Sequence, residues 1–413
     1  MPSVSSKNIE KSVHWIANNG LCSGCGTCQP VCPVNCIEIR LQKDGQFRPE
    51  IDSDVCTNCG LCTKVCPFSS LTYKKAIAEP IAVYSGYSNN YDVRHDGASG
   101  GLVTQLLIDG LNSGAFDAVV VVNGSSLNNF RSAILTNPEE VISAKGSKYV
   151  QVPVNVLLKE IEDTSFQKIA YVGLPCHIRS LKKYLEVRKK LSARIAMTFS
   201  LVCGQTLKWS AVEKQLKSLK VEKHELKRYT FRGSGWPGSQ KIESNQKKIE
   251  IPHTSKLAMG GLFSSTLSGI DACLFCDDHF GKDADISFCD AWHSPEKGRC
   301  DGISTALCYS ERGQKFLKEE ISNNNISIKK DSFENVLKVQ GHMKPTGSVL
   351  FLLKQKNIGN KIKLNSEINS NIYSKVAGLL YSFSQKLLSL VPINYYPVSF
   401  LAITRGFKKF LKF

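Results

Sequence analysis

The stretch LCSGCGTCQPVCPVNCIEI, residues 21–39, places five cysteines in nineteen positions. Disulfides, zinc, a reactive thiol and iron–sulfur clusters are the chemistries that use thiols at this density. Cys22, Cys25, Cys28 and Cys32, followed by Pro33, spell C-x2-C-x2-C-x3-C-P. Cys56, Cys59, Cys62 and Cys66, followed by Pro67, spell it again. Three thiolates at two-residue gaps wrap one face of a cubane, and the fourth reaches the neighbouring cube. Cluster one is therefore expected on Cys22, Cys25, Cys28 and Cys66, and cluster two on Cys56, Cys59, Cys62 and Cys32. Zinc wants four ligands in two pairs, not two interlocked sets of four. Gly24, Gly26 and Gly60 keep side chains away from the wrapping loops. Between the repeats, IEIRLQKDGQFRPEI alternates apolar and polar residues around Asp44-Gly45 and predicts a hairpin. Cys36 is left over and reads as a small buried hydrophobe.

This spacing resembles the bacterial dicluster ferredoxin module with two 4Fe-4S clusters, over residues 18–77. The whole chain of 413 residues, 42% hydrophobic and 22% charged, is long enough for two or three domains with cores of their own. Its opening, MPSVSSKNIEKSVHW, has neither the apolar core of a signal peptide nor the arginine content of a transit peptide, so a cytoplasmic location is expected. In that reducing compartment sixteen cysteines point to metal or redox chemistry rather than disulfides. The net charge of +17 is uneven. From Lys344 onward there are eleven Lys or Arg and a single acid, Glu367. No zinc-finger, RNP or basic-helix pattern accompanies it, which sets nucleic acid behind a membrane surface or an acidic partner protein.

After Lys75 the pattern changes. AFDAVVVV (115–122), KIAYVGL (168–174) and IAMTFSLVC (195–203) read as buried strands, with helical stretches near 100–112, 153–162 and 177–190. The alternation predicts βαβ units and a largely parallel sheet, with ligands at the carboxyl ends of its strands. Cys176 directly follows one strand and Cys203 ends the next, while Cys273 and Cys276 stand at a C-x2-C gap. These four amount to one complete ligand set. The spacing alone leaves a third metal site, buried structural thiols or a lone reactive Cys176 open. Cys289, Cys300 and Cys308 lack partners at ligand spacing and read as core residues.

HDGASGGLVTQLL (95–107), AKGSKYV (144–150), VGLPCHIRSL (172–181), LVCGQT (201–206) and ACLFCDDHFGKDADISFCDAW (272–292) resemble successive blocks of the coenzyme F420 hydrogenase/dehydrogenase beta-subunit family. The resemblance covers about residues 80–330. It implies FAD beside one 4Fe-4S cluster held by Cys176, Cys203, Cys273 and Cys276. It also implies flavin contacts from Ser99, Gly100, Gly101, Val103 and Thr104, and from Lys145, Ser147, Lys148 and Tyr149. The residue types agree: paired glycines opening a helix let a phosphate approach backbone N–H groups, and Lys145 and Lys148 carry balancing charge. His177 stands where the family commonly has Gln. It is either a proton carrier near neutral pH or a cap on the following helix. His177 and Lys145 are the candidate catalytic residues.

The fold expected is thus α+β with α/β. A dicluster ferredoxin-like module (18–77) precedes a mixed α/β flavin-binding domain, whose two parts span 80–165 and 166–335, and a basic tail (340–413). In the tail, Val376, Leu379, Leu380, Phe383, Leu387, Leu388 and Val391 recur at helical spacing, and no charge occurs from Leu387 to Thr404. Pro392, Asn394 and Pro397 interrupt that run, which favours a peripheral segment at the inner face of the membrane over a span, with packing onto the domain or a partner subunit as the alternative. The function expected is an oxidoreductase that links a ferredoxin-type electron donor or acceptor to an unidentified organic substrate. The alternatives are an electron-transfer subunit without its own substrate and a redox protein of surface-polysaccharide biosynthesis. Neither the direction of electron flow nor use of a deazaflavin follows from these motifs.

Overall fold

The computed structural model describes residues 12–73, 77–127, 129–255, 269–293, 301–340 and 363–366. Strands β1 (Ile37–Leu41) and β2 (Phe47–Ile51) form the antiparallel hairpin between the cysteine repeats. Next come β3 (Ser70–Tyr73), β4 (Ala82–Ser88), β5 (Ala118–Asn123), β6 (Arg131–Leu135), β7 (Ile169–Gly173) and β8 (Ile195–Leu201). Then follow β9 (Leu226–Thr230), β10 (Ser239–Ser244), β11 (Lys248–Pro252), β12 (Ile286–Asp290), β13 (Ser304–Cys308), β14 (Ile326–Lys330) and β15 (Lys363–Ser366).

The main sheet has eight strands in the order β14-β4-β13-β12-β8-β7-β5-β6. Its centre is parallel, β5 with β7, β7 with β8 and β8 with β12, whereas β6, β13, β4 and β14 pair antiparallel at the flanks. The expectation of a largely parallel sheet thus holds only for the middle. β5, with four consecutive buried residues, Ala118 to Val121, has the continuous apolar run of a strand covered on both faces. β6 shows an exposed Arg131 and returns from β5 through a short connection, which can only make an antiparallel pair.

Helix Leu102–Asn112 buries Leu102, Leu106 and Leu107 against the sheet. Helix Pro175–Val187 starts with proline at its first turn, where the missing N–H costs nothing, and buries Ile178, Leu181 and Tyr184. The smaller sheet β11-β10-β9 packs on helix Trp209–Ser218 through Tyr229, Ile242, Val212 and Leu216.

The cysteine-rich module does not hang on a linker. Val13, Ile16, Leu21, Val31, Val65 and Phe68 share one core with Leu158, Ile161, Ile178, Leu181, Ile270 and Phe275, so packing crosses the boundary expected between residues 77 and 80. The eight-stranded sheet likewise runs through both parts of the α/β region. Of the tail, β15 pairs parallel with β3 beside the module; the expected amphipathic helix and the basic terminus lie outside the described residues. Among the described residues no helix is long and apolar enough to cross a membrane.

Gly24 shows how tight the junction is. Its φ is +69°, and a Cβ there would lie 1.8 Å from Gln151 Nε2, which donates to the Ser23 carbonyl at 2.8 Å. Gly24→Ala is expected to cost about 1–3 kcal/mol from the left-handed backbone alone, and more from displacing Gln151. A lowered unfolding midpoint in the anaerobically purified protein checks this; an unchanged midpoint contradicts it.

Candidate functional site

The cysteines gather in three places. At the first, burial and the neighbouring Cys25 push the Cys22 thiol up to about 12, and Cys28 is raised by burial and by Cys25, Cys22, Cys66 and Cys62. Cys66 is raised by burial, Cys25 and Cys22, so Cys22, Cys25, Cys28 and Cys66 stand within one another's field. At the second, Cys32, Cys56, Cys59 and Cys62 line one small pocket. Cys59 is exposed, whereas Cys32 and Cys62 are buried. Cys36 lines the same pocket, 7% exposed, with its Sγ 3.4 Å from Cys32 Sγ. It is thus the small buried residue expected, packed in the apolar core and also against the second set. At the third, Cys176 is raised by burial, then Cys25, Cys203, Cys276 and Cys273, and Cys203 by burial, Cys273 and Cys276.

Each set fits a cluster. Among the described residues no three His, Cys, Asp or Glu close round a single ion, whereas a cubane spreads its four thiolates more widely. As buried anions the thiolates would repel one another, and bound metal cations would offset that. Backbone N–H groups already point at sulfur: Gly24 lowers Cys22, Phe68 lowers Cys66, and the Thr206 N–H donates to Cys273 Sγ at 3.4 Å. Arg179 fixes the third set. One turn after Cys176, this half-buried guanidinium pairs with Asp277, with Asp278 at 3.6 Å and with Asp283 at 3.4 Å, and so ties the segment after Cys276 to the Cys176 helix. Of the remaining cysteines, Cys308 is fully buried in β13, Cys289 instead lines the large cavity described next, and Cys300 lies outside the described residues.

That cavity, of about 460 Å³, lies at the carboxyl ends of the parallel strands, where Val122, Gly173, Val202 and Asp290 reach it. Cys203 is part of its wall. One part of the wall is the helix start: Ser99, Gly101, Val103 and Thr104 line it, and Gly101, at φ +75°, begins helix Leu102–Asn112 without a side-chain cap. Free backbone N–H groups there suit an anionic phosphate. Gly100 is not in the wall. It is pressed between strands, its N–H donating to Ser304 Oγ at 2.8 Å, and a Cβ would meet the Gly86 carbonyl at 2.5 Å.

Lys145, Ser147, Lys148 and Tyr149 also line the cavity. Lys145 pairs with Asp96 at 3.1 Å and so links the two glycine-containing blocks. Lys148 is used differently from expectation. Burial pulls its ammonium down to about 8, and it donates to the carbonyls of Ala144, Lys145 and Gly146, shaping its own loop. His177 is a cap: its Nδ1 accepts the Leu174 N–H at 3.3 Å, and burial pushes the imidazole down to about 4. A neutral ring engaged in this way does not suit the expected proton carrier.

A second part of the wall, beside that helix start, escaped the sequence reading: Asp290 pairs across the strands with Ser304, the acceptor of the Gly100 N–H. Arg232 donates to both carboxylate oxygens of Asp290 at 2.9 Å, and Trp236 Nε1 donates to Asp290 Oδ1 at 2.8 Å. The Trp236 and Trp292 rings lie 4.6 Å apart. His253, just after β11, also lines the cavity, with a buried Nδ1 that has no hydrogen-bond partner among the described residues. The signal was FRGSGWPG (231–238), where three glycines frame an arginine and a tryptophan.

Two family models, for the N-terminal and the C-terminal part of the coenzyme F420 hydrogenase/dehydrogenase beta subunit, match residues 83–159 and 166–332. Residues 21–70 match the 4Fe-4S dicluster domain. An uncharacterised protein of Methanocaldococcus jannaschii is 27% identical over 78% of this chain and 91% of its own length. Coenzyme F420-dependent sulfite reductase of the same organism is 27% identical over 76% of this chain but 47% of its own length. Coenzyme F420 hydrogenase subunit beta of Methanococcus voltae is 24% identical over 60% of this chain and 81% of its own. A chain of the F420-reducing NiFe hydrogenase complex of Methanosarcina barkeri shares the fold, with a TM-score of 0.53 at 17% identity, over 71% of this chain and 99% of that one. The chain is an iron–sulfur electron-transfer protein of the oxidoreductase type and belongs to the coenzyme F420 hydrogenase/dehydrogenase beta-subunit family, with a 4Fe-4S dicluster domain toward its N-terminus.

Proposed function

We propose that this protein is an iron–sulfur flavoprotein that carries electrons between a ferredoxin-type one-electron carrier and a two-electron organic substrate, with FAD in the 460 Å³ cavity. The order of the cysteine sets carries this reading. The second set reaches the surface at Cys59, its Cys62 acts on Cys28 of the first, Cys176 of the third feels Cys25 of the first, and Cys203 stands in the cavity wall. When bound, the clusters supply one-electron transfer and the flavin supplies exchange between one- and two-electron chemistry. The chain's own residues position and screen. The uncapped start of helix Leu102–Asn112 would hold phosphate, with Lys145 alongside. Apolar Val121, Val172 and Phe288 line the cavity and exclude water. The buried Nδ1 of His253 offers a hydrogen bond to a ligand there.

Relatives named as beta subunits favour a second reading, in which the chain passes electrons to a catalytic partner. Their names also make coenzyme F420 the first deazaflavin to try as a substrate. A stoichiometric co-purifying chain, together with no reductase activity of the isolated protein, would favour the partner reading.

Cofactor content tests the main proposal. About twelve irons and one FAD per chain are expected, falling to about eight irons in Cys273→Ser/Cys276→Ser. About eight irons and no flavin in both proteins would sink it. A second test concerns His253, whose ring faces Arg232, Asp290 and Tyr149. Burial and the Arg232 charge push it down to about 4 from 6.5, against the smaller opposing pull of Asp290. Between those values the unfolded chain holds a proton that the folded chain refuses, so stability falls as pH drops through 6.5 toward 4. Anaerobic unfolding should show His253→Asn relieved of a loss on the order of 2 kcal/mol between about pH 6.5 and 5. An identical pH profile in the variant would contradict this.

A further inference from the structure

Between the first and third cysteine sets lies a closed polar network inside an otherwise apolar core. Thr27, Asn155, Tyr171 and Ser180 have no solvent exposure at all. Asn155 is its hub. Its N–H donates to the Cys25 carbonyl at 2.9 Å, its Nδ2 to Thr27 Oγ1 at 2.8 Å and to the His177 carbonyl at 2.9 Å, and its Oδ1 accepts the Tyr171 hydroxyl at 2.8 Å. Every amide hydrogen of the side chain is thereby assigned, which fixes Thr27 Oγ1 as an acceptor from Asn155.

The Thr27 hydrogen must then go elsewhere. Ser180 Oγ, 2.6 Å away, stands as a second donor to Thr27 Oγ1 and also reaches the Val65 carbonyl at 2.7 Å. With Thr27 Oγ1 accepting from both Asn155 and Ser180, the partner in reach for its own hydrogen is Cys25 Sγ at 3.5 Å.

We infer that the Thr27 hydroxyl donates to the Cys25 sulfur and stabilises the reduced form of the iron–sulfur centre on the first cysteine set, with Asn155 and Tyr171 as positioning residues. The inference rests on the dicluster domain and not on the flavin proposal. Reduction by a ferredoxin-type carrier adds one electron and no proton. Part of the added negative charge falls on the ligand sulfurs, and a donor aimed at one of them gains strength with that charge. The hydroxyl hydrogen stays on oxygen throughout, so no bond to hydrogen breaks, and Asn155 and Ser180 keep that oxygen in place.

Two neighbouring hydroxyls should therefore respond differently. In the full chain, purified anaerobically, Thr27→Val keeps the shape and removes the donor. EPR-monitored redox titration should show one centre shifted to lower potential, with iron, sulfide and flavin content and the other centres unchanged. Ser180→Ala removes a donor to Thr27 Oγ1 but leaves the Thr27 hydrogen on sulfur, so the same centre should keep its potential. Thr27→Ser restores the hydroxyl and the original potential, and Thr27→Ala repeats the loss in a side chain too small to crowd the site. An unmoved potential in both Thr27→Val and Thr27→Ala overturns the inference, as does a downward shift in Ser180→Ala matching that of Thr27→Val. Because potentials and iron are read directly, a preparation without flavin would count against the proposed function and leave this test intact.

Discussion

Helix Pro175–Val187 carries the constraint on which the remaining structure depends. Its residues serve three neighbours at once. Cys176, Ser180 and Lys183, at spacings that share one face of a helix, meet the third cysteine set and the loops of the first, where Lys183 Nζ donates to the Cys66 carbonyl at 2.7 Å. Ile178, Leu181 and Tyr184 fill the common core. Arg179 and Lys182 hold the acidic turn at Asp277 to Asp283. The separation of the two inner cysteine sets is therefore set by helix packing and not by a linker, and a side chain that loosened any one face would disturb the other two.

Much of this was legible because thiol spacing and buried apolar runs are strong local signals. The repeat of C-x2-C-x2-C-x3-C-P assigned the interlocked sets, and the runs around Val119, Ala170 and Met197 became neighbouring strands. Other features depended on chain reversals that no local pattern encodes. The antiparallel flanks come from β13 and β4 inserting between β12 and β14, a pairing between residues more than two hundred positions apart. Arg232 and His253, which flank the strands of the small sheet, line a cavity built by the large one, and Trp236 reaches it through its bond to Asp290. Cys36 looked spare because the motif counts positions along the chain, whereas four residues after Cys32 the turn brings its sulfur back to the same pocket.

The cavity's charged residues share one neighbourhood and balance one another. At the helix start, N–H groups lack a side-chain cap and the nearby Lys145 is already balanced by Asp96, so positive potential comes mainly from backbone. Beside it, Asp290 pairs across the strands with Ser304, which takes the Gly100 N–H, and Arg232 is neutralised by a two-point pairing with that same Asp290. With both cations paired, an anion in the cavity would meet chiefly the backbone N–H groups of the helix start.

Burial sets the energetic problem that the hydrogen bonds answer. Moving a centre away from water disfavours its more negative state, and burial raises thiols in all three sets, Cys28, Cys62 and Cys203 among them. Each set carries donors that work the other way: Gly24 and Phe68 N–H groups at Cys22 and Cys66, Val13 and Thr63 at Cys62, and Gln205 and Thr206 at Cys203. Sulfur accepts such bonds weakly when neutral and strongly when charged, so their effect falls selectively on the reduced state. The first set adds the Thr27 hydroxyl, whose oxygen is held by Asn155 and by Ser180 of helix Pro175–Val187, so the packing of that helix reaches the sulfur through one side chain.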